Sequence, residues 1–164
     1  MAPALARSAL QALCRHRATN TATAGENVNT PIVMHVVLKV PQEATLTAKT
    51  TPASAEGFGA FLFYPRRDTL TYSIAFSGMS SAPFMAHFHH GAALTDGPIL
   101  QTLCGKPLPT LQGACTTSPK NNFGVLKGSW HVPAKDVPML LSGTIFVNIH
   151  TQLNPKGEIR GQIM

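Results

Sequence analysis

Residues 143–151 read Gly-Thr-Ile-Phe-Val-Asn-Ile-His-Thr, a run of β-branched and aromatic side chains with no helical spacing. In an extended strand successive side chains point to opposite faces, so Val147, Ile149 and Thr151 share one face while Phe146, Asn148 and His150 share the other. The same texture recurs through the chain from Thr30 onward. Short runs rich in Val, Ile, Thr, Phe and Tyr at about 32–40, 44–50, 58–64, 69–77, 83–90, 98–103, 123–131 and 157–163 are divided by Pro, Gly, Asn and Ser, as strands require. Only Lys135 to Leu141 has a helical look, and Pro133 and Pro138 keep that helix short. Many short strands without a long helix predict one all-β domain over residues 30–164, an antiparallel, Greek-key-like β-sandwich or a barrel.

Composition agrees with a single folded unit. The chain has 164 residues, of which 44% are hydrophobic and 12% charged, which gives ample core material and little of the charge that keeps chains disordered. No apolar run approaches the roughly 18 residues of a membrane-spanning helix, so an integral membrane protein is not expected. The formal charge of +6 is not clustered: Arg7, Arg15 and Arg17 precede the first acid, Glu26, and the only basic pair is Arg66-Arg67. Without an aromatic-interleaved basic stripe, nucleic acid is not an expected partner.

Residues 1–29 are Ala-, Thr- and Arg-rich and lack strand periodicity, which predicts a flexible leader or targeting tail. Leu5, Ala9, Ala12 and Leu13 could form a weak apolar helical face beside the arginines, the pattern of an organelle transit peptide; an untargeted disordered leader fits equally. Near the other end, residues 104–122 form a long loop, longer than the usual connection. A Cys104–Cys115 disulfide would restrain it and stabilise the fold by about 3 kcal/mol. Two free thiols in a reducing compartment are the alternative, and Cys14 is left unpaired in either case.

Candidate chemistry is concentrated in the histidines. Met85-Ala-His-Phe-His-His-Gly91 places His87 and His89 on one side of a strand, about 7 Å apart, with Ala86 and Phe88 turned to the core. Such a pair can chelate one metal ion, and His150 is the best third ligand. His35, on a face with Val33, Val37 and Lys39, is a fourth candidate; a surface histidine is the simpler reading, and His131 at a strand end caps a loop more readily than it ligates. Neutral imidazoles suit both copper and zinc, and the Irving–Williams order favours copper. Glu158 and Arg160 share a strand face with Gln162 and are candidates for orienting His150 or holding a small anion, with a cross-strand ion pair as the plainer alternative. Serine nucleophile elbows, phosphate loops, dinucleotide fingerprints and closely spaced carboxylate pairs are absent.

The stretch from Gly59 to Ile163 resembles the chordin-type CHRD domain. The segments that carry the likeness are Leu70-Thr-Tyr-Ser-Ile-Ala-Phe-Ser-Gly-Met79, His87-Phe-His-His-Gly-Ala92, Gly97-Pro-Ile99, Gly128-Ser-Trp130, Phe146-Val-Asn-Ile-His-Thr151 and Pro155-Lys-Gly-Glu-Ile-Arg-Gly-Gln-Ile163, in the family's order. The resemblance implies an antiparallel β-sandwich in a secreted or periplasmic protein. By analogy it extends to Cu/Zn superoxide dismutases, which also hold copper with an H-x-H strand and a later histidine. The spacing for a separate bridged zinc site is missing here, and the insertion carrying Cys104 and Cys115, with the additional His90, departs from a minimal domain of this type. Three functions follow as expectations: a single-site metal-binding domain, a superoxide dismutase-like redox enzyme, and a metal-free extracellular interaction module.

Overall fold

The computed structural model describes residues 30–44, 54–106, 113–118 and 122–164. Within them the strands are β1 (Ile32–Lys39), β2 (Glu56–Tyr64), β3 (Thr69–Ser77), β4 (Pro83–His90), β5 (Ile99–Cys104), β6 (Gly124–His131), β7 (Ile145–Thr151) and β8 (Ile159–Gln162). A single short helix, α1 (Val137–Leu141), precedes β7. The strand boundaries lie within about two residues of those read from the sequence, because Pro and Gly punctuate both. The strand expected at 44–50 falls outside the described residues, apart from Ala44, which lies in a bend. The expected leader, residues 1–29, lies outside them as well.

All eight strands belong to one antiparallel sheet in the order β5-β4-β7-β8-β1-β2-β3-β6. Its two edge strands, β5 and β6, lie against each other, so the sheet curls almost into a barrel. The spatial order β7-β4-β5-β6 is a Greek key, in which the last strand of four returns beside the first. The expected all-β Greek-key architecture is therefore present, its two packed layers supplied by a single continuous sheet. Curling leaves only short open edges where strands could pair with other chains.

The core is what strand alternation predicts. Met34, Val36 and Leu38 of β1, Phe61 and Phe63 of β2, Leu70, Ile74 and Phe76 of β3, and Val147 and Ile149 of β7 are buried inside the barrel. Phe88 sits among aromatic rings, 5.3 Å from Tyr72, 5.5 Å from Trp130 and 6.1 Å from Phe61 between centroids. Beside this core, β8 presses close to β1 at Gly161, where a Cβ atom would lie 2.2 Å from the Val37 carbonyl oxygen. Only glycine fits there.

Cys104 and Cys115 form a disulfide with Cα atoms 5.0 Å apart. It returns the chain to β5 just where Gly105, at φ +78°, turns away from the strand and donates its N–H to the Gly113 carbonyl at 2.8 Å. The clamp adjoins Gly105 and Lys106, and the Lys106 carbonyl lies over the outer face of β4, against His87. That outer face, with those of β7 and β8, carries the polar side chains that matter below.

Candidate metal centre

His87 and His89 project from the outer face of β4, and His150 from the same face of β7, which pairs with β4. One ligand atom from each lies within 4.8 Å of the others. The ring centroids are 5.4 Å apart for His87 and His89 and 5.0 Å apart for His87 and His150. Although they lie on the outside of the sheet, loops cover them, leaving exposures of 1% for His87, 8% for His89 and 6% for His150.

The covering loops also determine which nitrogens are available. His87 Nε2 lies 2.5 Å from the carbonyl oxygen of Lys106, His89 Nδ1 lies 2.9 Å from that of Gly97, and His150 Nδ1 lies 3.1 Å from that of Pro155. A carbonyl oxygen only accepts, so each of these nitrogens carries the proton and donates it. In a neutral imidazole the other nitrogen is then a lone pair. His87 Nδ1, His89 Nε2 and His150 Nε2 are those lone pairs, and His87 Nδ1 and His150 Nε2 are 3.1 Å apart. His89 Nε2 is buried with no hydrogen-bond partner at all.

These acceptors have no donor of their own, and the three rings offer ligand atoms within 4.8 Å of one another, an arrangement that one Lewis acid would satisfy. A proton is a poor one. Burial, the larger influence, and the neighbouring His87 hold His150 down at about 4, and burial lowers His87 and His89 below their ordinary value. The donor set fits a metal ion of the kind that imidazole prefers, copper or zinc, and carbonyl acceptors fix each ring's tautomer, as they do in known histidine-ligated metal sites.

His35 does not join this group. It is exposed on the outer face of β1, 6.4 Å from the Phe58 ring, and β7 and β8 separate its strand from β4. His131 is exposed at the end of β6.

Glu158 and Arg160 are buried, but the side-chain hydrogen bonds of each go to groups other than His150, and they form no ion pair with each other. The Glu158 carboxylate accepts from the Ser80 backbone N–H at 2.6 Å, from the hydroxyls of Ser80 and Thr151 at 2.5 Å each, and from Asn154 Nδ2 at 3.0 Å. It ties the turn before β4 to the turn before β8. Arg160 donates to the carbonyls of Ala92 and Thr95 at 2.7 and 2.6 Å and to Gln162 Oε1 at 3.2 Å, so three of its five N–H donors are taken up by the chain itself. Its guanidinium lies 3.4 Å above the Phe146 ring, whose other face stacks on His89 with an interplanar angle of 6°. Arg160 therefore supports His89 indirectly, through that stack and through the loop that carries the Gly97 carbonyl.

Glu43 was not legible as part of this region. It follows the turn Val40–Gln42 after β1, and its carboxyl accepts from Asn148 Nδ2 at 3.3 Å. The carbonyls of Gly97, Lys106 and Pro155 were equally silent, because a backbone acceptor leaves no mark on residue type.

A single-domain Greek-key β-barrel with a buried three-histidine cluster on its outer surface is the class that fold and site define. The chain belongs to the CHRD family: the CHRD domain model matches residues 19–163. That match begins ahead of the boundary expected at residue 30. No curated protein and no solved structure shows a significant match to the chain.

Proposed function

We propose that this CHRD domain binds one metal ion, copper in preference to zinc, through His87 Nδ1, His89 Nε2 and His150 Nε2. The observation that carries the reading is the set of ring contacts: one nitrogen of each histidine lies against a backbone carbonyl, and the three rings offer ligand atoms within 4.8 Å of one another. The Irving–Williams order supports copper over zinc at a neutral nitrogen site. The ligands bring no charge, so the ion would keep its full positive charge.

CHRD domains are typically extracellular, and the Cys104–Cys115 disulfide suits an oxidising compartment. Among the described residues no helix is long and apolar enough to cross a membrane. We place the protein outside the cytosol on these grounds.

Titrating Cu(II) and Zn(II) separately into metal-free protein, with calorimetry for stoichiometry and electron spin resonance for nitrogen coordination, tests the proposal. One ion per chain is expected, bound more tightly for copper. His87→Ala, His89→Ala and His150→Ala should each weaken binding by at least about tenfold, the loss of one good ligand interaction. No binding, or binding unchanged in all three variants, would leave the metal-free interaction module as the better reading. Turnover of superoxide by the copper-loaded protein would extend the function to redox catalysis.

A further inference from the structure

Two buried oxygens beside the metal centre lack partners: Glu43 Oε1 and Asn148 Oδ1. They belong to side chains already joined by one hydrogen bond, from Asn148 Nδ2 to Glu43 Oε2. Both heads face Gly157, whose φ of +132° and missing side chain leave room for them. A Cβ there would lie 2.6 Å from Asn148 Nδ2, Asn148 Oδ1 and Glu43 Oε2 alike.

Two acceptors left unpaired out of solvent are a standing cost, and one proton removes both deficits. On Glu43 Oε1 it would be available for donation to Asn148 Oδ1, while Asn148 Nδ2 continues to donate to Glu43 Oε2. We propose that Glu43 and Asn148 form a proton-binding site, a carboxylic acid and an amide joined by two reciprocal hydrogen bonds, which latches the turn after β1 onto β7 at neutral pH. Asn148 stands opposite His87 in the β4–β7 register and opposite Arg160 in the β7–β8 register, so the latch closes beside the histidines. The inference does not depend on metal binding.

The surroundings favour the neutral acid. Burial is the dominant influence and pushes Glu43 up to about 8; Asp96 in the β4–β5 loop and Glu158 just before β8 push the same way, while Arg160 on β8 and the Asn148 hydrogen bond oppose them. The unfolded carboxyl would titrate at about 4.5, so the folded state binds the proton more tightly between these values. The latch's contribution to stability is then complete below about pH 4.5 and is lost as pH rises toward 8. Above that range the proton passes to solvent, the Oε1–H bond disappears, and the carboxylate is drawn to Arg160 instead.

Carbon-13 NMR of the full chain labelled at glutamate carboxyls tests this, with Glu43→Gln assigning the resonance. The signal missing from the variant should be that of a protonated acid at pH 7 and should titrate near 8. A signal titrating near 4.5 overturns the proposal. Should the variant fail to fold, infrared spectra of the wild-type chain decide. A protonated-carboxyl stretch present at pH 7 and absent at pH 10 supports the site, and no such band at pH 7 overturns it. Glu43→Gln, whose amide can keep both hydrogen bonds without titrating, should also abolish any decline in melting temperature over the same interval.

Discussion

The outer face of the barrel has two unlike halves. On β4, β7 and β8 it carries His87, His89, Asn148, His150 and Arg160, all polar and all buried. On β1, β2 and β6 it is open to solvent and mixed, with Val33, Val37, Phe58, Leu62 and Val125 exposed beside His35, Glu56 and Lys127; Val33 is 75% and Phe58 56% exposed. The covered half thus buries polar side chains that a sheet ordinarily leaves to solvent. Scattered exposed apolar side chains are common on protein surfaces, whereas a cluster of buried polar ones is costly unless each is satisfied. Here carbonyls from three loops, a stacked aromatic ring and a carboxyl group satisfy most of them. The groups left unsatisfied there, His89 Nε2 and the Glu43–Asn148 oxygens, are those to which we assign the proposed metal ion and the proposed proton.

Removing a partner from the covered half should break this contrast most severely. Glu158→Leu leaves the Ser80, Thr151 and Asn154 donors without their shared acceptor and should destabilise the protein by about 4 kcal/mol in urea unfolding. Replacing Cys104 and Cys115 together by alanine should cost about 3 kcal/mol. It should also weaken copper binding, because the Lys106 carbonyl that orients His87 lies two residues beyond Cys104. An unchanged affinity in that variant would show that the loop holds its position without the clamp.

Acid probes the same half without mutation. His150 titrates at about 4 in the folded chain, below its value of 6.5 when free, so the unfolded state binds the extra proton first. Stability of the metal-free protein should fall as pH drops from about 6.5 to about 4, by roughly 2–3 kcal/mol from this residue, and His150→Gln should flatten that limb. The open half should barely respond: Phe58→Thr is expected to shift stability by no more than about 0.5 kcal/mol. A loss of several kcal/mol there would mean that the face is covered in solution.

Much of this was legible in advance, for identifiable reasons. Strand periodicity depends on neighbouring side chains alone, so residues 69–77 and 83–90 were read with the boundaries the structure has. The grouping of His87 with His89 follows from the same two-residue period. Pairing them with His150 required β4 and β7 to be neighbours, which the family resemblance made reasonable and no local pattern states. His35 satisfied every local criterion for a fourth ligand and still lies elsewhere, because β7 and β8 come between β1 and β4.

By itself the sequence determined that this is an all-β domain of the CHRD family, with two histidines on one strand face and a cysteine pair able to restrain a loop. Those properties are local, or are carried by segments whose order along the chain is enough to recognise them. Tertiary structure alone decided which face would be covered, which nitrogen of each histidine would keep its proton, and that Glu43 would meet Asn148 from a residue separation of 105. Each of these depends on where a loop's backbone carbonyl or carboxyl arrives in space. The sequence names the residues of a loop, but only closure of the barrel determines what they lie against.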